Sequence, residues 1–104
     1  MTNKLVGEIK EALRIVIDPE LGENIVDLGF IYDISVEGSD VHITMTATTR
    51  GCPAADFLKD AVANSVARIA GVESVDVAMT FEPPWTPSRI EPAVRASLGF
   101  AAVN

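Results

Sequence analysis

The sequence predicts an α+β sandwich, a single domain over residues 1–104 in which a three-stranded mixed sheet carries helices on one face. Three observations predict it. Apolar residues recur at helical spacing in two long stretches, strict alternation marks three strands, and the order of these elements is α-β-β-α-β-α.

Leu5, Ile9, Leu13 and Val16 form one stripe, so residues 3–16 read as an amphipathic helix capped by Thr2 or Asn3. "DPELG" (Asp18–Gly22) ends it, because a residue preceding proline is pushed out of helical backbone space. "ENIVDLG" then turns the chain toward a first strand over Phe30–Glu37. "EGSD" is a turn cluster, and a hairpin returns the chain as a second strand from Val41 to about Thr49. Along that strand Val41, Ile43, Met45 and Ala47 share one face, while His42, Thr44, Thr46 and Thr48 share the other.

Pro53–Ala70 reads as the second long helix, with Leu58, Val62, Ser65, Val66 and Ile69 inward and Gly71 as its stop. Val75, Val77, Met79 and Phe81 alternate as a third strand, closed by the stiff segment "EPPWTP". A short final helix begins at Pro92, a residue well suited to a first helical position.

Composition narrows the function. The net charge of −7 disfavours nucleic acid and anionic membrane surfaces as partners, and otherwise reads as solubility. No apolar run approaches the roughly 20 residues needed to span a bilayer. The amino-terminal stretch is amphipathic rather than leader-like, and one cysteine makes no internal disulfide. A reducing cytoplasm is the expected location.

A hairpin followed by a strand–helix–strand crossover makes the third strand parallel to the second. The end of the second strand, the end of the third and the start of the first then share one edge. Thr48, Thr49 and Cys52 are expected there, with Asp27, the Asp18–Gly22 loop, Glu82 and Trp85. Cys52 would precede a helix whose unpaired amides favour a thiolate, the form that attacks electrophiles or binds soft metals. The other reading is a small thiol buried beneath a helix start. Trp85 reads equally as a lid over the core or as a surface for a partner. His42 lies near the far end of its strand, about 30 Å from Cys52 at about 3.3 Å per residue, so a Cys–His catalytic pair is not expected. One Cys and one distant His do not make a zinc site, and no glycine-rich phosphate loop is present.

"DPELGENIVDLGFIYDI", "TMTATTRGCP" and "FEPPWTPSRI", in this order, resemble the metal–sulfur cluster biosynthetic family. That family includes SufT-type iron–sulfur maturation factors and PaaD-like proteins. The resemblance covers roughly residues 5–99. It implies an iron–sulfur cluster assembly domain fold and a role in iron–sulfur protein maturation. It carries over to Asp18, Glu20, Leu21, Asp27, Thr48, Thr49, Cys52, Glu82 and Trp85. Phe30 stands where the family more usually has leucine. The cysteine-rich carboxyl-terminal extension common in PaaD-like proteins does not follow here, which makes the SufT type the closer match.

The resulting expectation is an accessory factor rather than a turnover enzyme. Cys52 would touch metal, cluster or client, Thr48 and Thr49 would shape its pocket, and Asp18, Glu20 and Asp27 would tune charge or offer oxygen ligands to iron. A single thiolate cannot hold a cluster with four-sulfur ligation, so a transient cluster would borrow ligands from a homodimer, a client or a small thiol. Clients and assembly machinery are the expected partners. Two other readings stand beside it: an adaptor docking clients through the Pro-Trp and acidic loops without metal, and a thiol enzyme acting on a small electrophile.

Overall fold

The computed structural model of the chain describes residues 2–47 and 54–97. The first helix, α1 (Thr2–Leu13), buries Ile9 and Leu13 completely and rests Leu5 against the core. It stops three residues earlier than its apolar stripe suggests. Val16 donates its amide to the Leu13 carbonyl at 3.0 Å, the tightened bond of a closing turn, and remains buried as the chain leaves the helix.

The Asp18–Gly22 loop is closed at its base by paired backbone. Ile17 bridges Asn24, Asp18 N–H donates to the Glu23 carbonyl at 3.0 Å, and Ile25 N–H donates to the Val16 carbonyl at 3.1 Å. The turn that follows buries Ile25 and Leu28 and delivers Phe30, also fully buried, to the sheet.

Strands β1 (Ile31–Glu37) and β2 (Asp40–Met45) form the expected hairpin, and β3 (Ser74–Met79) runs parallel to β2 on its other side. The register of β1 slips between Ile31, opposite Met45, and Asp33, opposite Thr44. Tyr32 is therefore the extra residue of a β-bulge. The slip places Ile31 on the same face as Ile34 and Val36, although their numbers differ in parity. Without it, Ile31 would point away from the core.

Helix α2 (Ala54–Ala67) crosses from β2 to β3, with Leu58, Val62 and Val66 buried against Val41, Ile43, Met45 and Val77. The Ser65 hydroxyl, on the flank of that stripe, donates to the Ala12 carbonyl at 3.0 Å and ties α2 to α1. The opposite sheet face is open: Ser35, His42 and Asp76 form one exposed row, and His42 Nδ1 lies 3.6 Å from the Asp76 carboxylate. The expected arrangement of helices on one face holds. A short 3-10 turn (Pro87–Arg89) and α3 (Pro92–Ser97) complete the described chain.

Thr46 departs from the alternation expected of it. It is fully buried, because β2 has ended at Met45 and the chain leaves the strand repeat at that point. Its amide donates to the Phe30 carbonyl at 2.8 Å.

Candidate functional site

The three strands come together at one end as the topology requires. Thr46 N–H reaches Phe30, and Thr80 N–H donates to the Met45 carbonyl at 2.8 Å, so the exits of β2 and β3 flank each other beside the entry to β1. From this edge β2 runs into residues 48–53, and α2 begins two residues beyond Cys52. Thr48, Thr49 and Cys52 themselves lie outside the described residues.

Asp18 is buried with 3% exposure and spends its carboxylate on its own loop. Its Oδ2 accepts the Leu21 amide at 2.8 Å, and its main-chain carbonyl accepts the Gly22 amide at 2.7 Å. The short acceptor reaching forward over Pro19 is what shapes the turn. Leu21 is half-buried and packs on the core, while Glu20 is exposed. Loss of hydration raises the Asp18 carboxyl above its ordinary value, the Leu21 amide opposes this, the Glu20 charge adds to the rise, and the Glu20 amide again opposes.

A stability prediction follows from that balance. The native state keeps the Asp18 proton to higher pH than the unfolded chain does. Its contribution is therefore full below the ordinary carboxylate value of about 3.9 and is lost as pH rises through the raised native value. Asp18→Asn keeps an acceptor for Leu21 without the charge. It should flatten the fall in stability across that window and be at least as stable at neutral pH. Asp18→Ala should lose about 1 kcal/mol at low pH, since it deletes the capping acceptor. Urea midpoints measured between pH 4 and pH 7 would check both.

Asp27 is held from two sides. The Arg14 guanidinium lies 2.7 Å from Oδ1, and the Asn24 side-chain amide donates to Oδ2 at 2.9 Å. Asn24 also accepts the Asp27 backbone amide at 2.9 Å and is itself buried, so it caps the turn ahead of β1. Among the described residues, no group of three or more His, Cys, Asp or Glu is placed to hold a metal ion.

The segment after β3 folds back over the start of β1 as a strap. The Trp85 indole N–H donates to the Leu28 carbonyl at 2.7 Å, and its ring meets Phe30 edge-on with centroids 5.4 Å apart. The Tyr32 hydroxyl, turned by the bulge, donates to the Pro83 carbonyl at 2.8 Å, and the Arg89 guanidinium lies 4.8 Å from the Tyr32 ring centroid. Ile90 is buried, and Glu91 N–H donates to the Asp27 carbonyl at 2.8 Å. Trp85 thus serves as a lid, half-buried with its one donor engaged. Glu82 is exposed where the strap leaves β3, and its amide donates to the Thr80 hydroxyl at 3.3 Å.

Sequence reasoning singled out Asp18, Asp27 and Trp85 but passed over the residues that brace them and the strap. Asn24 has a visible signal, since an Asn three positions ahead of Asp27 is a turn-capping spacing. Arg14, Tyr32 and Arg89 have none, because their partners are 13, 51 and 57 positions away.

This fold and this edge define a class. A family model described as "Iron-sulfur cluster assembly protein" matches residues 7–77, and the chain belongs to that family. Among individual proteins, the chain is 38% identical over 100 residues to the Fe-S protein maturation auxiliary factor YitW of Bacillus subtilis (strain 168). The match spans 95% of this chain and 98% of that protein. It is 36% identical over 86 residues to the Fe-S protein maturation auxiliary factor SufT of Staphylococcus aureus (strain USA300), spanning 82% and 98%. A crystal structure of the domain of unknown function DUF59 from Bacillus anthracis superposes with a TM-score of 0.88 at 33% identity, over 94% of each chain. The role in iron–sulfur assembly or delivery implied by the sequence motifs is thereby supported.

Proposed function

We propose that this protein is a cytoplasmic auxiliary factor that helps assemble iron–sulfur clusters or deliver them to client proteins, with the Cys52 thiolate contacting the cluster or client. The observation that carries the reading is the convergence at one sheet end. The chain leaving β2 toward Cys52 emerges beside Phe30 and Thr80, where the strap and the Asp27 turn are already fixed. The maturation-factor names of two relatives that match nearly their whole length support the same role.

Cluster and iron are cargo in this reading. One thiolate leaves a cluster short of ligands, so a client, a small thiol or a second copy of the chain supplies the rest. Thr48 and Thr49 would donate hydrogen bonds around the sulfur. Glu20 and Glu82, both exposed, would contribute negative charge, whereas Asp18 and Asp27 act mainly by holding their loops in place. The adaptor alternative, docking clients through the Pro-Trp and acidic loops, has less behind it at Trp85, since that ring is packed on Phe30 and its N–H is used.

The test is a comparison of Cys52→Ala with the native chain in cells depleted of the native protein. The variant should fold normally yet fail to restore the activity of iron–sulfur enzymes. Full restoration would remove the thiolate from the mechanism.

A further inference from the structure

Helix α2 carries more apolar surface than the sheet covers. Beside its buried stripe runs a second one, Phe57, Ala61 and Ser65, ending near Arg68, at the i, i+4, i+8 and i+11 spacing of one helix face. Together with the end of α1 and the chain after it, this flank forms an open trough of about 590 Å³. Among the described residues the large hydrophobics that stand exposed are Ile15 (77%), Ile17 (47%) and Phe57 (59%), and all three line this one trough. Scattered singly, they would need no explanation; gathered in a concave groove, they mark a contact surface.

The lining includes the small residues Ala12, Ala61 and Ser65, and the bond from the Ser65 hydroxyl to the Ala12 carbonyl ties its two sides together. Small residues between two helices let a third approach to ordinary helix-packing distance of about 8–10 Å. From Phe57 to Arg68 the groove runs about 16 Å, three turns of helix. Arg68 is the charged residue of the lining, and among the described residues it has no carboxylate partner. A bound helix must therefore be apolar along its length and acidic where it meets Arg68. A second copy applied groove to groove fits poorly. It sets concave against concave, and the lining offers Arg68 no carboxylate.

We infer that the α1–α2 groove seats an amphipathic helix of a partner protein, with an Asp or Glu of that helix paired to Arg68. Phe57 stands in the early part of α2, the helix that follows Cys52 in the chain, so a partner in the groove would rest on the same helix. This placement rests on the reading that the protein meets client or assembly proteins.

The test uses the full chain and two labelled 14-residue synthetic helices, each with leucines at i, i+3, i+4 and i+7 and either Glu or Lys at the position meeting Arg68. Fluorescence anisotropy should show the Glu helix binding about threefold tighter, as expected for one solvent-exposed ion pair. Arg68→Glu should reverse the preference, and Phe57→Ser, an exposed change checked for folding by circular dichroism, should weaken both by about tenfold. Equal affinities, no binding, or unaltered binding by Phe57→Ser overturns the inference. It is equally overturned if Phe100→Ser raises helix affinity, which would make the chain's own carboxyl-terminal segment the occupant. A dimer that Phe57→Ser dissociates would make the occupant a second copy, with the same consequence. Cys52→Ala should leave helix binding unchanged, so failure of the groove and failure of the thiolate are read separately.

Discussion

Phe30→Ala should cost about 3–5 kcal/mol of folding stability, the range for deleting a fully buried aromatic ring. Phe30 has no exposed surface and serves two layers at once, filling the core and meeting the Trp85 ring at near right angles. Removal leaves a cavity and takes the support from under the strap. Against a total stability of about 5–15 kcal/mol for a domain, that loss leaves little reserve. Phe30→Leu is the informative companion. It keeps most of the volume and should lose no more than about 1.5 kcal/mol, much of it the ring–ring contact with Trp85. Denaturant midpoints rank the variants, and Trp85 emission reports whether the strap has shifted. An alanine variant as stable as the leucine one would show that Phe30 does not hold the strap.

Gly29→Ala should cost about 2–5 kcal/mol through two effects acting at one atom. Gly29 sits at φ +76°, a region that an L side chain enters at about 1–2 kcal/mol. An added Cβ would also collide with the Arg89 carbonyl oxygen and come within 2.7 Å of Arg89 Cβ. Overpacking of that kind costs a further 1–3 kcal/mol, roughly, and backbone rather than a flexible side-chain tip must yield. The segment that yields is the strap, so Trp85 emission should change in the native state as well. Gly38→Ala supplies the control. Gly38 has φ +63° with nothing within 4 Å of the new atom, so it should lose only the backbone part, about 1–2 kcal/mol. If the two alanine variants melt alike, the close approach at Arg89 has no energetic weight.

Both predictions concern the same device. The missing side chain at Gly29, the ring of Phe30 and the bulge at Tyr32 are three means, within four residues, of receiving one incoming segment. The strap in turn fixes the turn carrying Asp27 through the bond from Glu91. What the first and third family motifs spell as separated words is, in space, one braced edge.

The legible part of this protein was local. The stripe from Leu5 to Leu13, the alternation from Val41 to Met45 and the turn signals at Pro19 and Gly38 each follow from interactions within a few residues. They predicted the elements, their order and the shared edge. Boundaries drifted by a few residues because a helix or strand stops where tertiary hydrogen bonds replace its own, as Thr46 does on reaching Phe30.

The tertiary structure alone decided how the edge is held. That Trp85 is a lid, that Asp27 answers to Arg14, and that a flank of α2 forms a groove with the end of α1 depend on groups brought together by folding from distant positions. Periodicity records which face of a segment avoids water. It carries no record of which distant atom meets that face, because the meeting is set by the packing of the whole chain.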